Sequence, residues 1–147
     1  MSDFETRAAA VRSRYNDCFG CGLDNPIGLH LDGFTADGDE LVATFNPRPG
    51  YQGFAGILHG GILAALLDET LAWTAMMLEG QYVVTANLDL KYRKPAPAMH
   101  PYELRGRIEE RRGRRLRLAG SAASGGSLIA EAAGLFVATE AVSGPTP

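Results

Sequence analysis

Residues 58–78, LHGGILAALLDETLAWTAMML, are the run around which the rest of the chain has to be arranged. After Gly61 nearly every residue is apolar or a good helix former, and a helix apolar on all sides belongs in a core or a membrane. Asp68 and Glu69 interrupt the run, which makes it a poor membrane span and predicts a buried core helix. Burying acidic side chains is costly unless they are paired or used. Asp68 shares its side of the helix with Ala64, Ala65, Ala72 and Ala75, a face of small residues that lets a ligand or another backbone come close. Glu69 lies about 100° round the helix, among Ile62, Leu66, Trp73 and Met76. Asp68 is therefore the acid with open space. The helix pattern alone leaves two roles for it, a structural carboxylate held by an arginine or a functional group.

His59-Gly60-Gly61 stands at the start of that helix. The first N–H groups of a helix have no partner inside it, and the helix dipole adds partial positive charge there. Two glycines allow a ligand oxygen to approach those groups without meeting a side chain. The pattern reads either as an oxyanion hole two turns before a carboxylate or as a glycine-rich turn that only begins a helix. The preceding loop, Pro47 to Gly56, is too rich in Pro and Gly for regular structure and leads directly into His59.

Outward from this centre the chain alternates as strands do. Leu29–Phe34 and Glu40–Phe45 are predicted strands, joined by a turn at residues 35–39. Glu79-Gly80 is a helix stop, and Tyr82–Tyr92 is a strand with Val84, Ala86, Leu88 and Leu90 on one face and Val83, Thr85, Asn87, Asp89 and Lys91 on the other. Tyr102–Glu110, Arg114–Ser124 and Leu128–Thr139 are three more, separated by turns at Gly113 and at Gly125-Gly126. One long apolar helix among antiparallel strands is expected to be wrapped by the sheet. Residues 2–15 are expected to form a short polar helix within an N-terminal arm (residues 1–17), and residues 141–147 a frayed tail.

The whole of 147 residues is expected to be one domain with a full core. A net charge of −3 gives no drive toward nucleic acid or anionic membrane. The first residues lack the apolar core of a signal peptide, so a cytoplasmic location is expected. Seven arginines lie between Arg105 and Arg117, interleaved with Glu103, Glu109 and Glu110 and without flanking aromatics to stack bases. They read as the solvated face of a strand pair or as a grip on a phosphate-bearing ligand. Cys18 and Cys21 have half the spacing of a zinc site or that of a redox pair, but no second such pair follows and His30 and His59 are not spaced as finger ligands. A compact turn with small buried thiols is expected there, with no metal.

Three segments carry a family resemblance. The first is His59-Gly60-Gly61 with Asp68 seven positions after Gly61. The second is Thr85-Ala86-Asn87-Leu88-Asp89-Leu90-Lys91-Tyr92-Arg93-Lys94-Pro95, and the third is the Arg-rich hairpin with its closing apolar strand. Together, over roughly residues 38–140, they resemble the hotdog-fold acyl-CoA thioesterases, in the branch of the phenylacetate-pathway and mammalian thioesterase-superfamily enzymes. The Cys-Phe-Gly-Cys-Gly segment resembles part of a bacterial subgroup. The resemblance implies an α+β hotdog fold, a curved antiparallel sheet wrapped around one long central helix. It also implies a homodimer or homotetramer with active sites at the dimer interface. On this reading Asp68 is the catalytic carboxylate, as general base or nucleophile, and Gly60 and Gly61 are the oxyanion-hole segment. Thr85 holds water or Asp68, and His59 orients the thioester. Some members carry Asn or Gln six residues before the His, a position held here by Gly53 with Gln52 beside it. Gln52 and Asn87 are the further substrate-binding candidates. The implied substrate is an acyl-CoA or similar thioester, with no cofactor, nucleic acid or membrane partner. The alternative is a non-catalytic hotdog module that binds acyl thioesters or lipid-like ligands. Asp68 and Thr85 favour hydrolysis over that module, and over a dehydratase, which needs a differently placed His and acid.

Overall fold

Gly60–Leu78 forms one 19-residue helix, α2, in the computed structural model, which describes residues 2–142. Leu63, Leu66, Leu67, Leu71 and Trp73 on α2 are fully or almost fully buried. In length and apolarity α2 would also suit a membrane crossing. Instead it packs against β2 (Glu40–Phe45), β3 (Gln81–Tyr92), β4 (Tyr102–Arg112) and β5 (Arg115–Ser124). The buried hydroxyls of Thr70 and Thr74 donate back to the carbonyls of Leu66 and Thr70, each at 2.7 Å, so neither is left unsatisfied. Gly80, at φ +64°, ends the helix as its Glu79-Gly80 signal predicts.

With β1 (Thr35–Asp37) and β6 (Ser127–Ala141) the strands make one antiparallel sheet in the order β1-β2-β4-β5-β6-β3. Its hairpins turn on two-residue loops whose glycines take positive φ: Gly38, Gly113 and the Gly125-Gly126 pair. The sheet meets the helix most closely where β4 and β5 carry glycine. A Cβ on Gly106 would lie 2.2 Å from Thr74 Oγ1, and one on Gly120 would lie 2.8 Å from Leu71 Cδ2. Thr74 is branched, buried and already bonded, so it cannot step aside. Gly106→Ala should therefore lower stability by about 1–3 kcal/mol through overpacking, read as a drop in thermal midpoint with the far-ultraviolet spectrum unchanged.

Two expectations from the sequence need correction. Leu29–Phe34 is not a strand: the short β1 begins at Thr35, inside the expected turn. His30 and Gly33 both take positive φ, and no ladder can run through them. The apolar residues of this stretch serve packing instead, since Leu29, Leu31 and Phe34 are buried and Phe34 stacks on Trp73 with ring centroids 4.7 Å apart. The faces of β3 also differ. A bulge between Thr85 and Asn87 leaves Ala86 unpaired, so that Thr85 sits opposite Phe136 and Asn87 opposite Leu135. Phe136 is fully buried under the sheet, whereas Leu135 is not. Thr85 thus shares the helix-facing side with Leu88 and Leu90, and Asn87 turns to the outer face.

The N-terminal helix is present as α1, Asp3–Arg14, capped at Ser2 by reciprocal bonds with Glu5. It is docked against the molecule: Val11 is fully buried, and Arg7 donates to the Met77 carbonyl at 2.8 Å. Of the expected frayed tail, residues 143–147 lie outside the described residues.

Candidate active site

The start of α2 is built from four neighbouring segments. His59 is its N-cap, and its Nδ1 accepts the Gly61 N–H at 2.9 Å. That contact leaves Nε2 as the protonated nitrogen of a neutral ring. The His59 N–H donates to the Tyr51 carbonyl at 2.9 Å, and the Tyr92 hydroxyl at the end of β3 donates to the Gly60 carbonyl at 2.7 Å. Gly53 packs against His59 closely enough that a Cβ would sit 3.2 Å from His59 Cα. The expected pair of free helix donors is thereby reduced to one. Gly61 is occupied by the cap, and only the Gly60 N–H lacks a protein acceptor among the described residues.

This N-terminus opens into a cavity of about 780 Å³, lined by Gln52, Phe54, Leu63 and Tyr92 as well as His59 and Gly60. Phe54 is 85% exposed in the isolated chain. Lys94 stands at the cavity and makes no ion pair among the described residues, whereas Arg93 is held by Glu131 at 2.7 Å. In the second hairpin, Arg105 is gripped by Glu103, Asp37 and Glu40, Arg107 by Glu109, Arg111 by Glu79 and Arg112 by Glu110. These arginines form a solvated ion-pair face, and none of them lines the cavity.

Asp68 and Thr85 meet. The Thr85 hydroxyl donates to Asp68 Oδ1 at 2.7 Å, from β3 to α2, because the bulge turns Thr85 inward. Asp68 is half-buried and Thr85 exposed. Neither lines the cavity of its own chain. Asp68 is eight residues beyond Gly60, about 12 Å along the helix at 1.5 Å per residue.

Glu69 faces a different side of α2, against the loop that carries Cys18 and Cys21. Its carboxyl is pushed above the usual carboxylate range, chiefly by burial. The structure thus separates the two acids as their helical spacing predicts, but the thiols beside Glu69 have no signal in the sequence around it. Asn87, on the outer face, is not brought to the Asp68–Thr85 pair. Tyr92 is the contributor that sequence reasoning missed, although an aromatic just before the Arg93-Lys94-Pro95 stop marks the strand end nearest the helix start.

Residues 55–126 match the family model described as the thioesterase superfamily. Acyl-coenzyme A thioesterase THEM4 of Bos taurus is 30% identical over 119 residues, which span 79% of this chain and 48% of that protein. A solved thioesterase superfamily protein superposes with a TM-score of 0.71 at 30% identity, covering 79% of this chain and 60% of the other. The solved thioesterase superfamily protein from Shewanella loihica gives a TM-score of 0.69 at 25% identity, over 87% of this chain and 98% of its own. The chain spans about half the length of the curated relatives it matches.

Proposed function

We propose that this chain, whose residues 55–126 match the thioesterase superfamily and whose fold is that of its solved members, hydrolyses an acyl thioester to a free acid and a thiol. The observation that carries the proposal is the Thr85–Asp68 hydrogen bond, combined with a helix start that keeps a single N–H, that of Gly60, unused. Asp68 Oδ1 is held by Thr85 and Oδ2 serves as general base. It takes a proton from water as the water oxygen attacks the thioester carbon. The carbonyl oxygen becomes an oxyanion at the Gly60 N–H, at the positive end of the α2 dipole. Collapse of the intermediate breaks the C–S bond, and the proton held by Asp68 passes to the departing sulfur.

One chain cannot do this alone, because the base and the donor must both reach one carbonyl and stand about 12 Å apart along α2. A second copy supplies the missing half. β3 is an edge strand of 12 residues with one side unpaired, and Val84 and Tyr92 on it are exposed. A long edge strand presents a row of unpaired N–H and C=O groups, a template for pairing with another chain. Docking two copies along β3 carries the Asp68–Thr85 pair of each toward the other's α2 start. Coenzyme A is the proposed thiol carrier, because the curated relatives are named acyl-coenzyme A thioesterases. The cavity takes an acyl or pantetheine chain, and Lys94 is the free cation available to a phosphate.

Thiol release from a panel of acyl-CoAs tests the reading. Turnover of at least one member supports it. Thermal protection by acyl-CoA without release would replace hydrolysis by a binding role. A smaller effect is expected from Thr85→Val, which keeps shape but removes the hydroxyl. It should lower kcat about tenfold, the rate equivalent of one hydrogen bond to a charge of about 1.5 kcal/mol. Thr85→Ser should keep most of the rate, and the same release assay reads both.

A further inference from the structure

We propose that Cys18, Cys21 and Glu69 form a binding site for a thiophilic divalent cation, zinc in the first instance, which staples the N-terminal loop to helix α2. The Sγ atoms of both cysteines and a carboxylate oxygen of Glu69 all lie within 4.8 Å of one another. Cys18 Sγ already stands 3.5 Å from Glu69 Oε1. In a tetrahedral zinc site, bonds of about 2.3 Å to sulfur and 2.0 Å to oxygen place ligand atoms about 3.5–3.8 Å apart. Small side-chain adjustments therefore close the cage around a metal, with water in the fourth position.

The loop is built to hold this arrangement. The Gly22 N–H donates to the Cys18 carbonyl at 2.8 Å, and the Leu29 and Leu31 N–H groups donate to Phe19 and Gly20 at 2.7 and 2.9 Å. Gly20 must be glycine, because a Cβ there would lie 2.2 Å from Glu69 Cγ. The loop backbone thus rests directly on the glutamate it shares the site with. Arg12 binds the Cys21 carbonyl and sits 4.6 Å over the Trp73 ring. Arg12 also pairs with Asp32 and donates to the Leu31 carbonyl, which ties the loop to α1.

Trp73 adds an independent sign. Its Nε1–H is buried beside the Cys21 thiol and has no hydrogen-bond partner among the described residues. A thiolate bound to a metal is the acceptor such a donor lacks, and outer-shell N–H groups of this kind orient metal-bound ligands. Soft sulfur donors with one oxygen select zinc over magnesium or calcium. Binding releases the two thiol protons to solvent. Because Glu69 is the neighbour of Asp68, the metal would also brace the turn that carries Asp68, but the site stands whether or not the chain is a hydrolase.

The test uses the full chain, freed of metal by chelator under reductant and titrated with Co²⁺. The expected result is saturation at one Co²⁺ per chain, with the visible bands of tetrahedral cobalt and a thiolate charge-transfer band, both displaced by Zn²⁺. Zn²⁺ should also raise the thermal midpoint of the wild type. Cys18→Ser and Cys21→Ser should each weaken the charge-transfer band and the affinity, the double serine variant should lose the band, and Glu69→Gln should retain it with affinity weakened by about tenfold or more. Wild type that shows no charge-transfer band, and whose two thiols react freely with a thiol reagent in the presence of equimolar Zn²⁺, would overturn the proposal. So would a band that persists in the double serine variant, or isolation of a Cys18–Cys21 disulfide that excludes metal. The wild-type measurement decides even if a serine variant does not fold.

Discussion

Asp68→Asn should lower kcat for thioester hydrolysis by at least about a hundredfold, within the range lost with a general base. The substitution isolates chemistry from structure. Asparagine has the same shape, and its carbonyl oxygen still accepts the Thr85 hydroxyl that now reaches Asp68 Oδ1 at 2.7 Å. Asp68 is half-buried and forms no salt bridge among the described residues, so no cation is stranded by the change. The thermal midpoint should barely move, and KM should change far less than kcat, because the lost interaction is made in the transition state. Steady-state thiol release and a melt of the same preparation check both halves. A variant that keeps its fold and its rate would remove Asp68 from the mechanism.

Gly60→Pro should be nearly as damaging, for a different reason. Gly60 is the first residue of α2, where proline is well tolerated because the N–H there has no helical partner. His59, just before it, has φ −58° and ψ 130°, an extended conformation that a following proline accepts. The helix should therefore form, without the N–H at its start that has no acceptor among the described residues. Loss of an oxyanion donor typically costs on the order of 10²–10³ in kcat. Gly60→Ala is the control. It keeps the N–H, and its Cβ would meet only the Tyr92 ring and hydroxyl at 3.7–3.8 Å, ordinary contact. Alanine should stay within about tenfold of wild type, and proline should not. Equal rates in all three would show that the donor lies elsewhere.

The helix that organises the fold is legible because its cause is local. Residues 60–78 are apolar enough to demand burial, and Gly60, Gly61 and Gly80 mark its ends. The hairpins are legible through Gly38, Gly113 and Gly125-Gly126 for the same reason. The misreadings share another cause. Leu29, Leu31 and Phe34 are apolar because they are buried, Phe34 against Trp73 of α2, and an apolar run alone does not distinguish a packed coil from a strand. The Thr85–Asn87 bulge has no glycine to announce it, yet it decides that Thr85 meets Asp68 and that Asn87 does not. His59 lines the cavity as a ligand-contact residue would, and its Nδ1 in addition caps the helix and takes up the Gly61 N–H. The meeting of Cys18 and Cys21 with Glu69 depends on the way the N-terminal loop crosses α2, which no spacing in the chain encodes.

The central claim is a hydrolytic site shared between two copies, with Asp68 and Thr85 from one and the Gly60 N–H from the other. Co-expression of Asp68→Asn and Gly60→Pro chains under separate tags measures it most directly. Each variant alone should be almost inactive. If sites are shared, the mixed dimer regains one intact site, and random assortment should restore about a quarter of wild-type activity, since half the dimers are mixed and each has one of two sites whole. Mixed dimers that form but show only the summed background of the two parents would contradict a shared site.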